Sequence, residues 1–364
     1  MKVLAVINSL HTNGAEKLII DTLPKYLKKG VHIELLLFSG RQTVFLKKIQ
    51  SNPDVKIHKL SSGKIYSLLN IIKLFKYVRH YDIIHVHLFP AQYYVVIAKL
   101  LTFSKAKLIF TEHNTTNQRI SHPIYKFIDK YIYRYYHQII CISSEIKNIL
   151  LKHTGLPPER FVVIQNGINL NWINNGSVMP KSTFHGSINE SDFIVTQASA
   201  FRPQKDQKTL INAMLQLPDN YKLLLVGEGQ LLQEIKSYVK QKHLENRVFF
   251  LGQRMDIPDI LKSSDVIVLS SHYEGLSLSS IEAMASGKPF VASQVPGLTE
   301  LVKDHGILFE QGNSKALSEI ILKLSKDQNF SNKIAEKCVK KSKTFDISIM
   351  IDQHISLYHQ VYQN

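Results

Sequence analysis

Two glutamates, Glu274 and Glu282, frame the stretch of this 364-residue chain whose residue types could do chemistry. In "SDVIVLSSHYEGLSLSSIEAMASGKPFVAS" a buried-strand pattern runs to Ser271, a turn carries Glu274 and Gly275, and a helical pattern starts near Ser277. Parallel sheets bind ligands at the carboxyl edge of their strands. There the backbone N–H groups of Gly275, Leu276 and Ser277 would meet a phosphate, favoured jointly by unsatisfied donors and the helix dipole. Gly275 leaves room for close approach. Glu282, in the first part of the helix, is placed to accept two hydrogen bonds from vicinal hydroxyls such as those of a ribose. The plainer reading makes Glu274 a turn residue and Glu282 a solvated helix carboxylate, and chemistry alone leaves both standing.

The elements that must carry these residues follow from apolar patterning. In the first half, "KVLAVI", "VHIELLLF", "VKIHKL", "DIIHVHL", "KLIFTEH", "QIICIS" and "FVVIQ" read as buried strands. Most are separated by helically spaced segments such as 65–78 and 124–136. Asn169 to Asp192, rich in Asn, Gly, Ser and Pro, reads as an interdomain linker. Alternation resumes with "FIVTQAS", "YKLLLVG", "RVFFLG", "DVIVLSS" and "PFVAS", and the chain ends in two or three helical patterns from Ser314 onward. Strands alternating with helices predict right-handed βαβ units, and so an α/β chain of two doubly wound parallel-sheet domains.

"EGLSLSSIEAMASGKPFVAS" resembles the Glu-x7-Glu signature of the large retaining glycosyltransferase family of GT-B fold, glycosyl transferases group 1, which includes many bacterial cell-wall and capsule enzymes. "NGAEK" at Asn13–Lys17 resembles that family's Gly-Gly-Ala-Glu turn; "TEHN", "VIQNGIN", "FRPQKD", "LVGEGQ", "VFFLGQRMDI" and "VPGLTELV" follow in the family's order, so the likeness spans essentially the whole chain. The resemblance implies two Rossmann-like domains facing each other across a cleft: 1–172 on the acceptor side, 173–345 for the nucleotide sugar, and a C-terminal helix, 346–364, packing back on the first. It makes Glu274 the carboxylate beside the transferred sugar, Glu282 the ribose ligand and Lys205 the partner of the donor diphosphate. His113 would line the sugar site from the N-terminal side. Gly14 would let its loop approach the phosphates, and Gly252 to Met255, with Arg254 among them, would border the base. One departure stands out: "ASAFRPQK" puts Ser199 and Ala200 where the family has Gly and Arg. Arg202, two residues on and on the same strand face by alternation, is the candidate replacement.

Composition sets the remaining bounds. Hydrophobic content of 44% with 20% charged residues fits a globular core. Cys141 and Cys338 make no disulfide framework and suit a reducing cytoplasm. No signal-peptide pattern and no apolar run long enough to span a bilayer is read, so a cytoplasmic protein is expected, peripheral on the inner face of the cytoplasmic membrane. The net charge of +16 is lopsided: residues 1–180 hold 24 Lys and Arg against 9 Asp and Glu, the remainder 21 against 20. Such asymmetry points to an anionic partner. Lys126, Lys130 and Arg134 recur on one helical face beside aromatics, which suits an anionic membrane surface; ordinary solvated faces on a lysine-rich chain are the alternative. No nucleic-acid motif accompanies the charge. Gly227-Glu228-Gly229 is half a dinucleotide fingerprint and argues for no nicotinamide. His85 and His87 alternate on a strand, with one open to a site and packing the commoner fate.

No Asp-x-Asp pair or His/Cys/carboxylate cluster has metal spacing, so neither metal nor other cofactor is expected. The whole reading is transfer of a hexose or N-acetylhexosamine, with retention, from a nucleoside-diphosphate sugar to a lipid-linked saccharide in surface polysaccharide synthesis. A non-catalytic nucleotide-sugar-binding partner and a sugar-nucleotide epimerase remain as alternatives.

Overall fold

The structure is a computed structural model and describes residues 1–11, 13–113 and 122–363. It divides into two compact units, Met1–Gly167 with Ile347–Asn364, and Ile168–Asp346.

The first unit is built on β1 (Lys2–Ile7), β2 (His32–Ser39), β3 (Ile57–Ser61), β4 (Ile83–His87), β5 (Lys107–Glu112), β6 (Gln138–Cys141) and β7 (Phe161–Val163). They pair in parallel in the order β3-β2-β1-β4-β5-β6-β7. Helices cover both faces, which is why Val3 to Ile7 are buried without alternation. The C-terminal helix Ile347–Gln363 lies against the first helix, Gly14–Lys28. Tyr26 Oη and His354 Nδ1 share a hydrogen bond of 2.5 Å, Lys29 pairs with Asp352, and Tyr358 Oη meets His85 Nδ1 at 2.6 Å.

The second unit holds β8 (Phe193–Ala198), β9 (Tyr221–Val226), β10 (Val248–Gly252), β11 (Val266–Leu269), β12 (Phe290–Ser293) and β13 (Ile307–Phe309), all parallel, in the order β10-β9-β8-β11-β12-β13. Two expectations change here. The sixth strand, β13, escapes the apolar reading because it is three residues long and only Phe309 is fully buried. The Asn169–Asp192 stretch is no free linker: Ile173, Phe184 and Ile188 are buried within the second unit, and a short helix, Leu170–Asn174, opens it. Its few apolar residues are spaced too widely for periodicity, yet each finds the core.

In each sheet the chain order reverses once, between β1 and β4 in the first and between β8 and β11 in the second. At these switch points neighbouring crossovers leave on opposite faces and open a crevice at the carboxyl edge.

Candidate active site

In the second unit, the switch point is flanked by the two residues given the central roles. Lys205 follows β8 and Glu274 follows β11. Their side chains form an ion pair, with both nearly buried. Ser271 Oγ also donates to the same Glu274 oxygen at 2.7 Å. The backbone fixes the approach. Asp206 N donates to the Ser270 carbonyl at 3.0 Å and His272 N to the Gln204 carbonyl at 2.8 Å, an antiparallel bridge that ties the two loops together. Behind them, Ser271 N donates to Ser293 Oγ and Ser270 N to Gln197 Oε1, so the loop after β11 is held by side chains from both adjacent strands. Asp206 caps the helix Gln207–Met214 through Thr209 N at 3.1 Å.

Two glycine features, named in the sequence only as motif pieces, brace these loops. Gly297 has φ +81°, and a Cβ there would lie 2.4 Å from the Glu274 carbonyl oxygen and 2.7 Å from that of Gly275. The Pro296–Gly297 turn therefore packs directly on the backbone that presents Glu274. Gly227 and Gly229 sit equally close to the carbonyls of Ser199 and Phe201, and Phe201 N donates to the Glu228 carbonyl at 3.0 Å. Gly-Glu-Gly is thus a brace for the Lys205 loop.

Gly275, Leu276 and Ser277 are half-buried and lead into the helix Leu278–Ala285. The helix starts one residue later than the pattern suggests, and Ser277 does not cap it with its side chain, so its first-turn N–H groups keep the character of an anion site. Glu282, on that helix, is buried among apolar neighbours rather than solvated. The plainer reading of Glu282 as a solvated helix carboxylate is therefore lost, while Glu274 does lie in the turn after β11.

Arg202 needs a correction in its reasoning. β8 ends at Ala198, and the chain then turns, with Arg202 N donating to the Ala200 carbonyl and Lys205 N to the Arg202 carbonyl. Strand alternation does not extend to Arg202, whose side chain is exposed beside the loop. Arg254 and Met255 follow β10 on the same carboxyl edge. Arg254 forks onto Asp256 (2.8 and 2.5 Å), and Met255 is exposed. From β10 to β11 the edge spans three strand spacings, roughly 14 Å.

In the first unit, Gly14 begins the helix after β1 and is exposed. His113 follows β5, and Asn114 of the "TEHN" motif lies outside the described residues. Sequence reasoning left His85 and His87 undecided, and the structure separates them. His85 is packed, bonded to Tyr358 and, through Nε2, to Thr111 Oγ1 at 2.6 Å. His87 Nδ1 meets His113 Nε2 at 3.1 Å. Burial pushes the His113 imidazole down to about 4, and His85 and His87 well below the ordinary histidine range, so the group is neutral near pH 7. His113 Nδ1 is buried with no hydrogen-bond partner among the described residues.

The chain matches two family models: Glycosyltransferase Family 4 over residues 12–172 and Glycosyl transferases group 1 over residues 179–343. It is 28% identical to the Escherichia coli UDP-Gal:alpha-D-GlcNAc-diphosphoundecaprenol alpha-1,3-galactosyltransferase, covering 80% of this chain and 78% of that protein. It is 26% identical to the Bacillus anthracis N-acetyl-alpha-D-glucosaminyl L-malate synthase, covering 77% and 75%. Its fold follows that of Anabaena HepE, solved in complex with UDP-glucose, with a TM-score of 0.86 at 24% identity over 99% of this chain and all of that one. With the two models spanning nearly its full length and both sheets wound as the fold requires, the chain belongs to the GT-B glycosyltransferases.

Proposed function

We propose that this glycosyltransferase moves a hexose or N-acetylhexosamine, with retention of configuration, from a nucleoside-diphosphate sugar to a lipid-linked saccharide of a surface polysaccharide. The observation that carries the donor half is the Lys205–Glu274 pair at the switch point of the second sheet. A diphosphate there gains charge as the sugar leaves, and the Lys205 ammonium with the first-turn amides of the helix Leu278–Ala285 would stabilise that charge. Glu274 would hold the sugar through its hydroxyls, and Glu282 the ribose. In the retaining step the acceptor oxygen bonds to the anomeric carbon as the bond to phosphate breaks. The departing phosphate oxygen takes the acceptor proton on the same face.

The donor named for the E. coli relative, and the UDP-glucose bound to HepE, support a nucleotide sugar, with UDP the first base to test. The diphosphoundecaprenol acceptor named for the E. coli relative supports a lipid-linked acceptor, used at the inner face of the cytoplasmic membrane. No helix among the described residues is long and apolar enough to cross a membrane, so attachment would be peripheral. The reaction needs no metal in this scheme, since lysine and amides meet the diphosphate.

A donor screen tests the reading. The purified chain is incubated with UDP-, GDP-, TDP- and CMP-sugars and followed by thermal stabilisation and slow donor hydrolysis. Stabilisation and hydrolysis by one nucleotide class are expected. Binding with neither hydrolysis nor transfer would turn the assignment to a non-catalytic partner, and an altered sugar on an intact nucleotide to an epimerase.

A further inference from the structure

In the second unit, the hydroxyl of Ser199 has its acceptor positions filled and its proton unspent. Ser199 follows β8 directly and is half-buried. Gln197 Nε2 donates to its Oγ at 3.0 Å, and Gln207 Nε2 donates to the same oxygen at 3.3 Å. Backbone groups fix which end of each amide faces the serine. Gln197 Oε1 accepts from Ser270 N at 3.0 Å, so the nitrogen is the end turned to Ser199. Gln207 Nε2 also donates to the Ala200 carbonyl at 3.2 Å, and a flipped amide would set oxygen against oxygen there. Both glutamines are buried. Holding Gln207 this way leaves its Oε1 buried with no hydrogen-bond partner among the described residues, a cost borne to keep the nitrogen on Ser199 and Ala200.

A hydroxyl offers two acceptor positions and one proton. With two amides on its lone pairs, Ser199 can only donate, and it donates to no other group among the described residues. Its place in the fold says where that proton goes. Gln197 stands near the end of β8 and reaches the backbone that follows β11, so Ser199 Oγ lies between the carboxyl ends of these two strands. That is the switch point which also carries Lys205 and Glu274. The backbone is pinned as well. Ser199 N donates to the Val226 carbonyl at 2.9 Å, and a Cβ on Gly227 would lie 2.3 Å from the Ser199 carbonyl oxygen.

We infer that Ser199 is a phosphate-binding residue, whose hydroxyl, aimed by Gln197 and Gln207, donates to the diphosphate of the sugar donor beside Lys205. The inference rests on the donor reading proposed above and adds a residue to it. A phosphate oxygen only accepts, which matches a hydroxyl that can only donate. The assignment also answers the departure at Ala200. Where the resemblance implies an arginine this chain has a methyl group, and the preceding residue supplies a neutral donor instead. Gln197 and Gln207 are positioning residues that act through Ser199. The bond strengthens as the leaving phosphate gains charge, so it counts for more in the transition state than in the bound donor.

The test is calorimetric titration of the purified full chain with UDP, GDP and TDP, then of each variant with the diphosphate the parent binds and with its nucleoside. Ser199→Ala should weaken diphosphate binding about tenfold or more, the effect of one lost hydrogen bond to a charged acceptor, and leave nucleoside binding unchanged. The rate of donor hydrolysis at saturation should fall by at least the same factor. Ser199→Thr keeps the hydroxyl and should recover most of both, which separates a lost contact from a damaged loop. Gln207→Met should weaken diphosphate binding in the parent and add little on top of Ser199→Ala, because it acts through the missing hydroxyl. Additive losses in that cycle would overturn the positioning role. Unchanged diphosphate affinity and hydrolysis in Ser199→Ala would overturn the inference, and a loss of both in Arg202→Ala alone would give the contact to Arg202. Equal losses for diphosphate and nucleoside would overturn it too, by showing general damage to the site. A parent that binds no nucleoside diphosphate would remove the donor reading and this inference with it. A parent that binds one, with Ser199→Ala unaffected, removes the inference alone.

Discussion

Acid should dismantle the first unit well before the second, and the buried histidines set the window. His113 is held down to about 4 and His354 to about 3, while His85 and His87 are held well below the ordinary range, in each case chiefly by burial. In the unfolded chain all four return to about 6.5. Below that value the unfolded state binds more protons than the native one, so stability present above about pH 6.5 is lost as pH falls toward the native values. At about pH 5, His113 and His354 each remove about 2 kcal/mol (1.36 kcal/mol per pH unit over about 1.5 units), and His85 and His87 act in the same direction. His113 and His354 together thus remove about 4 kcal/mol, close to the lower end of the stability of a typical domain, about 5–15 kcal/mol. The four histidines of the second unit are exposed or half-buried. The units carry separate reporters: Trp172 lies in the second, and 13 of the 16 tyrosines lie in the first. Urea titrations between about pH 7.5 and 4.5 should therefore show the near-ultraviolet tyrosine signal losing its midpoint steeply below pH 6.5, while Trp172 fluorescence holds. Parallel pH dependence of the two signals, or a flat tyrosine midpoint down to pH 5, would refute the reasoning.

Three further outcomes are expected. Glu274→Gln and Lys205→Ala should abolish turnover, while Glu282→Ala should chiefly weaken donor binding, by about 1.5–3 kcal/mol; near-normal turnover in the Lys205 variant would remove the phosphate role. Gly297→Ala should destabilise the second unit by roughly 1–3 kcal/mol and depress kcat, because its Cβ collides with the backbone of Glu274 and Gly275; thermal melts and steady-state rates decide it. Transfer should survive excess chelator, and a strict divalent requirement restored by added metal would mean that the diphosphate is neutralised by other means.

The fold was legible where burial leaves a dense signature. Strands such as β1, β2 and β9 are covered on both faces and read as predominantly apolar runs, interrupted by Glu34 in β2 and Lys222 in β9. β13 was not, because three residues in a turn-rich context carry too little pattern. Nor was the packing of Ile173, Phe184 and Ile188, where composition suggests a linker and isolated apolar anchors decide otherwise. Glu274 and Glu282 could be singled out because charge beside an apolar helix is costly and their context resembles a family. The Gly297 turn beneath Glu274 and the His87–His113 bond join elements across the sheet. They depend on which strands become neighbours, and no local spacing encodes that. Arg202 shows the reverse error: alternation was extended past Ala198, where the strand ends.

The Lys205–Glu274 pair has a physical cost that points to its use. Both side chains are nearly removed from water, with 9% and 5% of their surface exposed. Two charges so placed seldom stabilise a fold more than apolar residues of the same volume would, since desolvation offsets their attraction. The surrounding chain nonetheless invests in presenting them: an antiparallel bridge between their loops, Ser271 on the carboxylate, and two glycine turns packed against the backbone. Such over-determination is expected where geometry matters more than stability, as at a preorganised catalytic centre. A lysine paired with a neighbouring carboxylate is already oriented before a diphosphate arrives. Under the proposed reaction it would shift its hydrogen bonds from Glu274 to phosphate as negative charge develops, which would free the carboxylate for the sugar hydroxyls. On that proposal the ion pair would stand in for the donor and hold both partners in place between turnovers.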